Sequence, residues 1–149
     1  MVYNKIVNKF PKILKDLMYE HDIDAKTLAL NIGISQSAPI YRWLHGKRGI
    51  LLTSAVSIAD YFKCSLDYLF GRSDDYAEKV YSTCPQFDIQ FRNILNEMKI
   101  TQYRLIKDRV VSSGNITSWL KDKQTPTMEC IIRIAEYLKI SLDYFVGRE

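Results

Sequence analysis

The sequence predicts an all-α protein built twice over. Three observations lead there. Apolar residues recur at helical spacing along nearly the whole chain, no period-2 run is long enough to build a sheet, and a segment near the middle returns near the end. Residues 58–72 read IADYFKCSLDYLFGR and residues 134–148 read IAEYLKISLDYFVGR, an offset of 76. From Trp43 to Arg72 against Trp119 to Arg148, thirteen of thirty positions are identical. Upstream the offset is 77, pairing Ile23, Leu28, Ile34 and Ser35 with Ile100, Leu105, Val111 and Ser112. The first copy therefore holds one extra residue, which the alignment places between Ser35 and Ile40.

Each copy reads as five short helices. Ile13, Leu14, Leu17 and Met18 give the first helix, Phe10 to Glu20, its apolar stripe, and Phe87, Phe91, Ile94, Leu95 and Met98 do so in the second copy. Asp24 and Thr101 are N-caps for a second helix. Leu28, Ala29 and Ile32 supply its buried side and Gly33 its stop; the second copy has Leu105 and Ile106, with Val110 in place of the glycine. The third helix carries Ile40, Trp43 and Leu44, or Ile116, Trp119 and Leu120. The fourth runs from about Thr53 to Phe62 and from Met128 to Leu138. SLDYLF and SLDYFV follow, each with serine capping a short fifth helix that Gly71 or Gly147 ends. These boundaries give one domain at 1–72, a linker at 73–86 and a second domain at 87–149. The linker is polar, Pro85 interrupts it, and Tyr76 to Tyr81 have the composition for one helical turn.

Composition narrows the function. No apolar run approaches the roughly 18 residues of a membrane span, and MVYNKIVNKFPK lacks the apolar core of a secretory signal. Cys64, Cys84 and Cys130 form no Cys-x-x-Cys pattern and no Cys/His cluster, so neither a disulfide framework nor a zinc site is expected. No Ser/His/Asp set, paired carboxylates or phosphate-cradling glycine loop appears, and His21 and His45 have no repeated partner, so the expectation is no enzyme, no metal and no cofactor. The net charge is +4. It is evenly divided: residues 1–75 carry ten Lys/Arg and eight Asp/Glu, residues 76–149 eleven and nine. There is no basic tail, so cations have to be read by position.

Two short helices around a tight turn make a helix-turn-helix. The second copy has Leu105-Ile106, Ser112-Ser113-Gly114-Asn115-Ile116, Trp119, Pro126, Ile134-Ala135 and Ser141-Leu142-Asp143. The first has Leu28-Ala29, Gly33-x-Ser35, Ile40, Trp43, Gly46-Lys47, Ile58-Ala59 and Ser65-Leu66-Asp67-Tyr68-Leu69. This pattern resembles the phage Cro/cI repressor type of helix-turn-helix domain, twice, over about 10–72 and 87–148. The resemblance implies two tandem five-helix lambda-repressor-like domains in a bacterial or phage cytosolic, nucleoid-associated protein. It also implies sequence-specific binding to double-stranded DNA and transcriptional regulation, with repression as the usual outcome.

In that family the third helix enters the major groove. The resemblance puts Ser113, Gly114 and Asn115 at base edges, with Thr117 and Ser118 further along. Asn115 is the strongest reader, because a carboxamide can bond adenine bidentately. Gln102 matches a position that family members use for phosphate, and Lys107, Arg109, Lys121 and Lys123 are further phosphate candidates. In the first copy Gln36, Ser37, Tyr41 and Arg42 are the base-reading candidates, and Lys26, Lys47 and Arg48 the phosphate candidates.

Pro39 complicates the first copy. Proline disfavours helical geometry in the residue before it, so the third helix is expected to start at Pro39 with Ala38 as a poor cap. That would make it about one turn shorter than its counterpart. Three roles stay open for this copy. It reads DNA from a remodelled turn, as half of a covalent pseudo-dimer; it binds mainly phosphate; or it is an interaction module with Ile50-Leu51-Leu52 as its contact patch. Half-sites lie roughly 34 Å apart, a span that fourteen extended residues at roughly 3.3 Å each can cover. The rival to DNA binding is a protein-interaction or antitoxin-like adaptor, with the first copy as a dimerisation or partner-binding module in a homodimer.

Overall fold

The computed structural model describes residues 2–46 and 49–149, with side chains from Lys9 onward. Lys47 and Arg48, expected at phosphates, lie outside the described residues. Among the described residues regular structure is helical, in ten helices, and the chain divides into two units, Met1–Val80 and Tyr81–Glu149. Among the same residues no helix is long and apolar enough to cross a membrane.

The first unit comprises α1 (Val2–Glu20), α2 (Ala25–Asn31), α3 (Ala38–Leu44), α4 (Leu52–Phe62) and α5 (Leu66–Leu69). α1 begins eight residues before the expected Phe10 and runs through Pro11. Phe10, Leu14, Leu17 and Met18 are its buried stripe, while Ile13 is only half-buried. Leu28, Ile40, Trp43, Ile58, Phe62 and Leu66 complete the core around that stripe, and Phe10 stacks on Phe70 at 4.7 Å between ring centroids. Ile50 and Leu52 are core residues too, at 5% and 6% exposure. The expected apolar contact patch therefore reduces to Leu51, because the turn into α4 points its two neighbours inward.

The second unit comprises α6 (Phe87–Met98), α7 (Gln102–Lys107), α8 (Ser113–Leu120), α9 (Met128–Leu138) and α10 (Leu142–Val146). Its centre is aromatic. Phe87 and Phe91 both meet Trp119 edge-on, at 5.5 and 5.6 Å, and both approach the ring of Phe145. Side chains cap four of its helices: Thr101, Ser112, Thr127 and Ser141 each accept a backbone N–H from the third helical residue. In the first unit Asp24 and Ser65 do the same, but α3 and α4 start at Ser37 and Leu51 without any side-chain cap. Each missing cap forgoes about 1 kcal/mol.

Both units close on a carboxylate–guanidinium pair whose arginine the sequence pattern left unassigned. Asp67, in the first turn of α5, accepts from Arg72 at 2.7 Å. Asp143, in the first turn of α10, accepts from Arg148, and both partners are almost wholly buried. Each carboxylate sits at a helix N-terminus, where the dipole favours it, and each ties down the chain beyond its helix.

Residues 73–86, the expected linker, form no helix, and several of them are held by hydrogen bonds. The Tyr76 hydroxyl donates to the Phe62 carbonyl at 2.7 Å and the Lys79 N–H to the Lys63 carbonyl at 3.1 Å, both in the first unit. The Ser82 N–H donates to the Arg148 carbonyl at 2.8 Å, and the Arg148 guanidinium lies 4.2 Å from the centre of the Tyr81 ring, both in the second. These bonds hold the segment, and Tyr76 to Tyr81 form no helical turn.

Candidate nucleic-acid interface

In the second unit, α7 and α8 form the helix-turn-helix. Thr101 caps α7 and leaves Gln102, its first residue, exposed at the N-terminus. Leu105 is fully buried, so α7 is fixed by one central anchor. The turn runs through Asp108, the C-cap, to Arg109, which has left-handed backbone geometry at φ 58°. Val110 and Val111 are buried and pin the turn to the core. Ser112 then caps α8 by accepting the Asn115 N–H at 3.1 Å.

α8 has two faces. Ile116 and Trp119 point into the core. Ser113, Gly114, Asn115, Thr117 and Lys121 are exposed on the other side. Ser118, expected among the base readers, is half-buried, and its carbonyl accepts the Gln124 N–H at 3.0 Å. Lys107, Arg109 and Lys121, three of the expected phosphate contacts, are exposed, as is Gln102.

Lys123 differs from them. Its ammonium lies 3.2 Å from the Asp88 carboxylate, and its backbone is left-handed at φ 55°. Asp88 is in the first turn of α6 and 6% exposed, with Arg92 at 3.8 Å from the same oxygen. Burial pushes the Asp88 carboxyl up, but the hydrogen bond and charge of Lys123 outweigh it and hold the pKa below the usual carboxylate range. Lys123 thus has a carboxylate partner within the fold, while its side chain stays 65% exposed.

A second cluster braces the turn. Asp108 accepts from the Tyr137 hydroxyl at 2.5 Å and from Arg104 Nε at 3.2 Å. The Tyr137 hydrogen bond first, and Arg104 second, lower the Asp108 pKa; the same contacts raise those of Tyr137 and Arg104. The cluster links α7, its C-cap and α9. Sequence reasoning gave no role to Asp88, Asp108 or Tyr137. The Arg104–Asp108 spacing of four was a legible signal, whereas Lys123–Asp88 and Tyr137–Asp108 are too far apart in sequence to be one.

The first unit departs from this plan. α3 spans Ala38–Leu44 against Ser113–Leu120 for α8. It is one residue shorter, not one turn, and Ser37 rather than Ala38 is the N-cap, with Pro39 second in the helix. The first N–H groups of a helix have no intrahelical acceptor, so proline there loses no bond.

The position of the extra residue also changes. Left-handed residues recur in both units: Asp22 with Lys99, Gly33 with Arg109, Lys63 with Lys139. The offset is 77 for the first pair and 76 for the others. Ile34 N–H donates to Ala29 O just as Val110 N–H donates to Leu105 O. Arg109, not Val110, is therefore the counterpart of Gly33, and the added residue lies in α2, which has seven residues to the six of α7. A helix absorbs an added residue at its end more readily than a capped turn does. In this register Gln36 matches Ser112, Ser37 matches Ser113, and Pro39 matches Asn115. Gln36 is exposed in the turn, Ser37 half-buried, and Lys26, Tyr41 and Arg42 exposed.

Residues 90–145 match the family model of the Cro/C1-type HTH DNA-binding domain. No curated protein and no solved structure matches the chain. The matched span opens within α6 and closes within α10, so it holds α7, the turn and α8 entire, and it makes this part of the chain similar to domains that bind DNA.

Proposed function

We propose that the protein is a sequence-specific DNA-binding regulator, acting as a transcriptional repressor, with α8 in the major groove. The observation that carries this reading is the first turn of α8. It exposes Ser113, a glycine with no side chain to hold the backbone away, and the Asn115 carboxamide, all presented by the Ser112 cap. Asn115, Ser113 and Thr117 would meet base edges. Gln102, Lys107, Arg109 and Lys121 would meet phosphates. Lys123 would have to leave Asp88 to join them.

The first unit would add affinity rather than sequence discrimination. Pro39 offers no donor where the second unit offers Asn115, while Lys26, Tyr41 and Arg42 remain exposed for backbone contact. A second reading has its own support. Tyr41 and Leu51 are 52% and 46% exposed where the second unit has Thr117 and Thr127, which suits a protein-facing module in a homodimer or with another partner.

Selection from random duplexes, followed by gel shifts across a salt series, tests the main reading. A specific site whose affinity falls steeply with salt supports it, since phosphate contacts release counterions. Absence of any preferred site at low salt would sink it in favour of the protein-facing role.

A further inference from the structure

The Asn115 carboxamide has a side-chain partner on the neighbouring helix start. Asn115 and Cys130 are each the third residue of their helix, α8 and α9. Ser112 holds the Asn115 backbone N–H at 3.1 Å and Thr127 holds that of Cys130 at 3.4 Å. Two capped helix starts are thereby set side by side, and their side chains meet: Asn115 Nδ2 donates to Cys130 Sγ at 3.7 Å. Cys130 is a free thiol and half-buried.

We infer that Cys130 is a positioning residue for base recognition by Asn115, a step that rests on the DNA-reading role proposed above. A carboxamide has one acceptor oxygen and two N–H groups. Pairing with adenine uses the oxygen and the N–H on the same side as it. The other N–H is left over, and this is the one that a sulfur set at the helix flank can accept. Engaging it fixes which edge of the amide faces outward. Without such a partner the amide torsion is broad and close to two-fold, so oxygen and nitrogen exchange places. A thiol sulfur is a weak acceptor, so it biases the orientation without withdrawing the reader from DNA. The corresponding pair in the first unit is Pro39 and Ser54, which cannot make this contact because proline has no amide to orient.

The test compares Cys130→Ala, Cys130→Ser and Asn115→Ala in the full chain by two measurements. Side-chain amide signals of Asn115 in the free protein report the contact directly. Selection from random duplexes reports base preference. Cys130→Ala is expected to move the Asn115 amide signals and to cut the adenine preference at a single base pair by about threefold to tenfold, leaving the other positions and the salt dependence unchanged. Cys130→Ser keeps an acceptor and should retain more of that preference than alanine. Unmoved amide signals in Cys130→Ala, or an unaltered preference where Asn115→Ala loses it, overturn the positioning role while leaving the reader in place. If Asn115→Ala changes no base preference, Asn115 is not a reader and both assignments fall.

Discussion

Pro39 stands in the first unit where Asn115 stands in the second, six residues beyond a left-handed residue, Gly33 or Arg109, in each case. Four residues further on, Trp43 and Trp119 are both buried, so the two helices are anchored alike. What differs is the group offered at the start of the helix. The second unit presents a carboxamide that can both accept and donate, and the first presents a ring that can do neither.

Asn115→Ala should therefore cost roughly 1–3 kcal/mol of discrimination at one base pair. Pro39→Ala should leave the selected sequence unchanged, because it removes no recognition group. Selection and competition gel shifts with both variants decide the matter. A changed consensus with Pro39→Ala would show that the first unit reads bases after all.

Lys121 and Lys123 should separate in a salt series. Lys121 is exposed near the end of α8 and free to neutralise a phosphate. Its replacement by alanine should lower the slope of log affinity against log salt by about 0.9. Lys123 already neutralises Asp88, so Lys123→Ala should leave that slope in place and instead lower the thermal midpoint, as should Asp88→Asn. The double variant should be no worse than Asp88→Asn alone, since the pair with Lys123 is already lost there. A slope reduced by Lys123→Ala would return that residue to the phosphate set.

The helices were legible because their signals are local: apolar spacing, the caps Asp24, Thr101, Ser65 and Ser141, and the repeated SLDY segments. The outward residues of α8 were singled out by the family resemblance that those local segments carry. What stayed hidden depended on register and on distance. Side-chain similarity paired Ser35 with Ser112, whereas backbone geometry pairs Gln36 with Ser112, because φ at Gly33 and Arg109 is a folded property. The commitment of Lys123 to Asp88 joins residues on different elements, and no spacing rule reaches that far. Tyr76 and Tyr81 looked like linker residues for the same reason, until their partners Phe62 and Arg148 were in place.

Acid should loosen the helix-turn-helix through Asp108. Its pKa is depressed in the folded state by the Tyr137 hydroxyl and Arg104, so its contribution is present above the ordinary carboxylate pKa and is lost as pH falls through the folded value. Tyr137 behaves oppositely. Its raised pKa means its contribution is present below the ordinary tyrosine range and declines as pH rises through it. Urea midpoints measured against pH should show both limbs flattened in Asp108→Asn, and only the alkaline limb fully removed in Tyr137→Phe. An acid limb that Asp108→Asn leaves untouched would assign it to other carboxylates.

The start of α4 should accept the cap that α9 already has. Leu51 and Thr127 share the same extended geometry, φ −76° and ψ 154°, but only Thr127 accepts a backbone N–H, that of Cys130. A threonine in place of Leu51 needs no backbone change to accept the N–H of Ser54. Leu51→Thr gives up part of a half-exposed leucine's burial, so Leu51→Ala is the control that gives up the same contact without adding a cap. Threonine should be more stable than alanine there by about 1 kcal/mol, read from urea midpoints of the full chain and from amide exchange at Thr53 and Ser54. Ser112→Ala should lose about as much in the second unit. Ser37→Ala should cost little by comparison, because Ser37 makes no side-chain cap bond. Equal stability of the Leu51→Thr and Leu51→Ala chains would mean that α4 is set by its buried face alone, through Leu52, Ala55 and Ile58.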